Sequence, residues 1–527
     1  MEFIQTLQTQ ILEENPLLAK PRVVAAFLVL VAFVVLRWRA QKGPKLDYPV
    51  LGDVSQTDFR PALEEGAKKY PKSPFVIATP MHPTVILPVS AIKEIKALPE
   101  NILSLRYVTT VSLSRPDKLI SGYRQHHYTI FLGKYTGFGD PSDELDTAIR
   151  VDLTRHLEQN LATFYDEVEY AYRKHVGDST DWTPVPLYDA MLGIVCLLSS
   201  RVFVGLPLSR DEEWTRVTMQ YSLDAGHGAH SLSPYPHLLR PLVAPFILKR
   251  LSQRRAVARR MLQPVLDKIT AGHCGNSAAT GRSVDTGGDL MQYIMGHYKG
   301  KATIELLARD QLIATFVAMH TTTICITQTL FDLAARPEYL APLREELAQV
   351  LATDGAHDGR LHKESMAKLR KMDSFVRESQ RMNPPGLVSM LRRVTAREGL
   401  QLSTGHVIPY GSVVGISAHE VTRSYPDGDK FDGFRFSKLR EQPGQATFHQ
   451  LVATGPDHLA FGHGTHGCPG RFFAASEIKV IMAYLLQNYD IRLEGGATRP
   501  ESLHVGCTVT PSSDAKVLFR KRKEGLS

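Results

Sequence analysis

The chain has 527 residues, 43% of them apolar and 22% charged, with a formal net charge of +8. That balance fits a folded chain rather than a disordered one, and no lysine- or arginine-rich block in the body marks a nucleic-acid surface; a moderately basic face suits an anionic membrane or an acidic partner. The cysteines Cys196, Cys274, Cys325, Cys468 and Cys507 are odd in number and form no C-x-x-C pair, which argues against a disulfide framework and a structural zinc site.

Val23 to Leu36 is an unbroken apolar run of 14 residues. As a helix it covers about 21 Å, short of the roughly 30 Å hydrocarbon core. Leu17, Leu18 and Ala19 extend it, and Lys20 and Arg22 can reach back to the interface. A cleaved signal peptide and a buried helix are the alternatives. No small-residue cleavage site follows, however, and Arg37-Trp38-Arg39 closes the run like an interfacial anchor. The expectation is a transmembrane anchor over 23–39, after a lumenal segment 1–22 and before a linker 40–52 marked by Gly43-Pro44 and Tyr48-Pro49. Arg37, Arg39, Lys42 and Lys45 follow the run, whereas Glu2, Glu13 and Glu14 precede it. The positive-inside rule then leaves the main body, 53–527, in the cytosol.

Phe75 to Ala78 and Thr84 to Pro88 read as short strands. From about Leu145 to Ala334 the pattern is mostly helical, interrupted by a polar, glycine-rich loop over Gly272 to Gly288. The helix from about Asp310 to Ala334 has an unusual centre, Val317-Ala318-Met319-His320-Thr321-Thr322-Thr323. Clustered threonines lower helix propensity and can bond back to the carbonyl four residues earlier. Met366 to Met382 reads as a further helix, stopped by Asn383-Pro384-Pro385-Gly386. On it Glu378 and Arg381 share a face. Val407 to Ser417 is again extended. The elements add up to a mainly α fold with minor β.

The densest signal lies at Phe461-Gly462-His463-Gly464-Thr465-His466-Gly467-Cys468-Pro469-Gly470, with a periodic helix following from Arg471. Glycines let a backbone approach something flat or bulky. A helix starting just after the sulfur aims free N–H groups at it and favours the thiolate. A thiolate on a tight loop is a good axial ligand for a haem iron.

Phe461, Gly464, Cys468 and Gly470 match in order and spacing the F-x-x-G-x-x-x-C-x-G signature, and the chain resembles the cytochrome P450 family. The resemblance covers nearly everything after the linker and implies one large domain of that family's fold. It implies haem b (iron protoporphyrin IX) with Cys468 as axial ligand, Phe461 shielding the sulfur, and Gly464 and Gly470 shaping the loop. His466 stands where an arginine commonly pairs with a propionate, a hydrogen bond that imidazole can also donate. Glu378, Arg381 and Arg435, the last within Phe434-Arg435-Phe436, match the family's E-x-x-R motif and its partner arginine, which form a structural network. Either Arg392 or Arg393 could meet a propionate, and spacing to Glu398 and Gly405 favours Arg393. The family's W-x-x-x-R is not recognisable, and Arg150 is the substitute. Ala318 and Thr321 fall on the oxygen-activating groove A/G-G-x-D/E-T, with His320 in place of the acid and Thr322 beside it. Thr321, His320 and Thr322 are the implied catalytic residues.

The resemblance implies a monooxygenase of the endoplasmic reticulum membrane, single-pass and facing the cytosol. It would take electrons from NADPH through cytochrome P450 reductase, with cytochrome b5 as an optional partner. His320, His466 and Gly470-Arg471-Phe472-Phe473-Ala474 resemble fungal members that oxidise terpenoids and other secondary metabolites. A haem-thiolate isomerase, a peroxide-driven enzyme or a non-catalytic haem protein is the alternative reading, and His320 alone leans that way. Leu103 to Gly139 and Met219 to Leu248, which would shape the pocket, suit a hydrophobic small molecule but carry no readable code.

Overall fold

The computed structural model describes residues 46–527 apart from 54, 80–82, 106–132, 137–141, 233–234, 236–238, 275–288, 301, 356–358 and 524–527. The expected anchor 23–39 and most of the loop over Gly272 to Gly288 lie outside the described residues, as does much of the segment Leu103 to Gly139. Among the described residues no helix is long and apolar enough to cross a membrane.

Helices dominate. α1 (Arg60–Lys69) precedes α2 (Leu157–His175), α3 (Leu187–Phe203), α4 (Glu212–Leu232), α5 (Lys249–Cys274) and α6 (Ile304–Ala335). Then come α7 (Leu340–Thr353), α8 (Arg370–Met382), α9 (Arg435–Arg440) and α10 (Arg471–Asn488). α6 starts six residues earlier than its sequence pattern suggested, because Thr303 caps it: its hydroxyl accepts from the Leu306 N–H at 3.4 Å. The helix expected over Met366 to Met382 is broken at Leu369, whose ψ of 69° is not helical, so a separate short helix, Lys363–Lys368, precedes α8. Asn383 and the two prolines end α8 as expected.

α3 is buried on nearly every side and α6 on most, so both run through the main core, packed against α2 and α10. Aromatic rings fill the α2–α10 seam. Phe473 meets Phe164 at 5.2 Å and Phe203 at 5.5 Å, and the Tyr172 hydroxyl donates to the Ile481 carbonyl at 2.9 Å.

The minor β part is a sheet of six strands in the order β1-β2-β3-β9-β6-β4, with smaller sheets beside it. Its members are β1 (Val50–Leu51), β2 (Phe75–Ala78), β3 (Pro83–Leu87), β4 (Leu103–Ser104), β6 (Val388–Val394) and β9 (Val413–Ser417). β5 (Thr183–Pro186) joins β10 (Tyr489–Arg492) and β13 (Lys516–Lys521), β7 (Leu400–Gln401) pairs with β8 (Val407–Ile408), and β11 (Leu503–Val505) with β12 (Thr508–Thr510). β1 lies inside the stretch 40–52 expected to be linker: Val50 pairs with Val76 and Leu51 with Ile77. Two residues are too short to show a period, and the strand exists because β2 offers it an edge. The sheet packs over its own apolar cluster, separate from the helical core.

Candidate functional site

The loop before α10 is closed by its own backbone. The Cys468 N–H donates to the Phe461 carbonyl at 2.8 Å and Gly467 to Gly464 at 3.0 Å. Thr465 donates from both its N–H and its hydroxyl to the Lys96 carbonyl, each at 2.9 Å, which docks the loop on the sheet layer. Gly464 sits at φ +81°, and a Cβ there would lie 1.9 Å from the Lys96 oxygen, so no other residue fits. Phe461 is half-buried against the main core, and Gly470 is the residue from which α10 springs.

The Cys468 sulfur is largely enclosed and accepts from the Gly470 and Arg471 N–H groups at the start of α10. The sequence expectation of a favoured thiolate meets a competing effect. Burial pushes the thiol up, and the two amides with nearby Arg471 and Arg150 only partly pull it back. Desolvation outweighs amide dipoles, and a cation bonded to the sulfur is what reverses the balance.

Cations converge beside this loop. Arg392, Arg150 and Glu100 all act on His466, whose Nε2 lies 3.3 Å from Glu100 Oε1. Arg471 acts on both Cys468 and Arg150, and its Nε is buried with no partner. Arg150 occupies a π-helical turn at Ala148–Leu153 and reaches Asp146 at 3.3 Å. Neighbours on a strand point to opposite faces, and here that choice separates two arginines. Arg392 turns toward His466 and Glu100, whereas the Arg393 guanidinium approaches Gly411, across β6. Arg392 thus stands by the loop histidine, while Arg393, which spacing favoured, has its Nε buried on the Gly411 side of β6. Burial lowers Arg392 to about 10, and its NH1 donates to the Leu391 carbonyl at 2.6 Å.

The structure brings Glu378, Arg381 and Arg435 together. Arg381 grips Glu378 with two hydrogen bonds of 2.8 and 2.9 Å, both side chains fully buried. Arg435 Nε lies 3.3 Å from both Glu378 oxygens. The remaining guanidinium N–H groups donate to carbonyls of Thr422, Pro426, Asp427, Gly428 and Lys430. A long irregular segment is thus pinned to α8.

On α6, Thr321 and Val317 are exposed one turn apart, and Ala318 is half-buried between them. Thr321 donates to the Val317 carbonyl at 2.8 Å, the back-bond expected of such a cluster. Thr322 is buried in the opposite sense, 3% exposed, so the structure separates it from the open stripe. His320 is half-buried, its Nε2 2.9 Å from the Ser222 hydroxyl and its ring 5.2 Å from Phe316.

Sequence reasoning missed a second charged stripe on α8. Asp373 and Arg377 lie eight and four residues before Arg381, on one face. Asp373 meets Lys479 of α10 at 2.5 Å and Arg440 of α9 at 3.1 Å. Arg377 donates to the Gln450 carbonyl at 2.5 Å and lies 4.6 Å over Phe436. The four-residue spacing was the available signal.

The donor set fits a flat, dianionic iron macrocycle. It holds one soft sulfur framed by two N–H groups, arginines and a histidine at its rim, an orphaned buried Arg471 Nε, and an exposed stripe on an otherwise packed helix. Among the described residues no cluster of histidine, cysteine and acid could hold a bare metal ion.

Comparisons with known proteins agree. The family model described as Cytochrome P450 matches residues 187–519. The chain is 38% identical over 535 residues to cytochrome P450 monooxygenase ascG of Acremonium egyptiacum, covering 95% of this chain and 96% of that one. It is 39% identical over 495 residues to cytochrome P450 monooxygenase ataF of Aspergillus terreus, with 93% and 94% covered. Cytochrome P450 monooxygenase gliF of Aspergillus fumigatus matches at 38% over 520 residues, with 96% and 99% covered. Retinoic acid-bound cyanobacterial CYP120A1 shares the fold at a TM-score of 0.63 and 15% identity, covering 91% of this chain and all of that one.

Proposed function

The chain belongs to the cytochrome P450 family as a monooxygenase, and on that premise we propose that it oxidises a hydrophobic small molecule of fungal secondary metabolism, such as a terpenoid. Electrons come from NADPH through a reductase, and the protein is held at the endoplasmic reticulum membrane by residues 23–39. The observation that carries the reading is the Cys468 sulfur, framed by two N–H groups at the start of α10 and ringed by cations.

Haem b, when bound, supplies the reduction and cleavage of O2 and the transfer of one oxygen atom to substrate. Cys468 would ligate it, and Phe461 and the glycine loop would shield the sulfur from water. Arg392 or Arg393, with Arg150 and His466, would hold its carboxylates. The Glu378–Arg381–Arg435 network keeps the irregular segment between α8 and α9 seated, which fixes the frame into which the loop docks. Thr321, on the open stripe of α6, offers a hydroxyl that can hold a proton or a water beside the reacting atoms. The fungal relatives named above support the metabolic setting, and the apolar run with its basic flank supports the membrane setting.

Reduced full-length protein treated with carbon monoxide should give the red-shifted Soret band of thiolate ligation. Metabolite profiling of a deletion strain should reveal one accumulating apolar precursor. Absence of the band would defeat the reading.

A further inference from the structure

His320 occupies the place that would supply protons if the helix followed the acid-bearing pattern, and its hydrogen bonds run the other way. Ser222 has one hydroxyl proton, and a short bond of 2.6 Å commits it to the Met219 carbonyl. The Ser222 oxygen therefore accepts, and His320 Nε2–H donates to it across 2.9 Å. The chain of donors leads from α6 into α4 and ends on a backbone carbonyl, which has no proton to return. Thr321 likewise gives its proton to the Val317 carbonyl. Both hydroxyl protons are thus committed to backbone carbonyls. The ring sits at 5.2 Å against Phe316, and burial with no nearby charge holds it neutral, below the ordinary imidazole value.

α4 packs inward through apolar side chains such as Trp214, Val217 and Ala225. Its second half carries Gly226 and Gly228, which weaken a helix. Its outer side is clamped by α5, where Arg260 meets Glu213 at 2.9 Å and Arg254 meets Asp224 at 3.4 Å. Those ion pairs are partly exposed and hold α4 to α5; α5 reaches α6 through the exposed pair Arg259–Glu305 at 3.5 Å, so a direct polar bond from α4 to α6 has to come from the inner side of α4. Ser222, 5% exposed, faces inward and finds His320.

We propose that His320 is a positioning residue that ties α6 to α4 through Ser222, setting how closely α4 lies over the site, and that it is not the proton donor its place suggests. The proposal rests on the monooxygenase reading for the meaning of that site, while the tie itself is a property of the two helices.

The test uses full-length holoenzyme and the variants Ser222→Ala, His320→Ala and His320→Gln. Hydrogen exchange over residues 218–232 should quicken about five-fold in both alanine variants, the worth of one hydrogen bond. Carbon monoxide recombination after photolysis should also quicken, because α4 stands further from the iron. His320→Gln should restore both, since its amide N–H can donate to Ser222 from a similar distance. A proton-relay role makes the opposite forecast: Ser222→Ala is silent, and His320→Gln behaves like His320→Ala. Unchanged exchange in the two alanine variants would overturn the tie, and so would failure of His320→Gln to rescue. Loss of the thiolate carbon monoxide band in wild-type protein would instead strike the functional reading, and hydrogen exchange would still decide the tie.

Discussion

Replacing Cys468 by alanine removes the sulfur and leaves the loop, whose closure depends on backbone bonds to Phe461 and Lys96. The variant is expected to fold but to lose the red-shifted carbon monoxide band; a retained band would show that another residue ligates. Arg392 and Arg393 form a sharper pair of tests, because they are adjacent in sequence and divergent in space. Haem retention during gel filtration decides between them: proximity to His466 expects the loss in Arg392→Ala, and the spacing to Glu398 expects it in Arg393→Ala. Full retention in both variants would mean that neither arginine holds the group. Thr321→Ala should keep haem content and electron uptake while NADPH is consumed and peroxide is released. Normal coupling in that variant would remove the open stripe of α6 from the mechanism.

At the scale of elements, α8 is the joint of the molecule. Glu378 faces two guanidinium groups, and truncating one partner of a buried, hydrogen-bonded ion pair costs about 3–5 kcal/mol. Glu378→Ala should therefore lose haem incorporation together with turnover, read from the ratio of Soret to protein absorbance. What the sequence made legible here was motif and spacing: the loop, the E-x-x-R pair, the stop at Asn383, and the helical middle. What it hid depended on tertiary neighbours. The surroundings of Arg392, the pairing of Val50–Leu51 and the Asp373–Lys479 contact all need a partner far along the chain. Glu477 belongs to the same hidden class. It is fully buried on α10, one oxygen accepts from Ser199 at 2.7 Å, and burial pushes its carboxyl up to about 8. The folded chain then holds a proton that the unfolded chain releases near the ordinary carboxylate value. Stability falls as pH rises from there to about 8, by up to roughly 1.4 kcal/mol per pH unit. Glu477→Gln should flatten that decline in the thermal midpoint measured from pH 5 upward; an unchanged slope would mean that the carboxyl is charged in the fold.

For the whole molecule, the proposed anchor sets how the body would meet a membrane. The proposed anchor ends at Arg39, and β1 begins the sheet at Val50 with Pro49 accepting from the Val76 N–H at 2.8 Å. Only about ten residues separate the two, so with that anchor in place, at roughly 3.3–3.6 Å per residue, the sheet edge would lie within about 36 Å of the bilayer surface. A chain that starts at Lys42 removes the apolar run and keeps β1, whereas one that starts at Asp53 also strips the edge strand and should fold less well. The Lys42 form is expected to become extractable by carbonate and to keep its carbon monoxide band. Some association should persist, because Leu242 and Phe246 remain 68% and 81% exposed just before basic Lys249 and Arg250. Full-length protein that carbonate alone releases would mean that residues 23–39 do not span the bilayer. The positive-inside asymmetry and the position of β1 would then have to be explained by a chain that lies along the membrane surface.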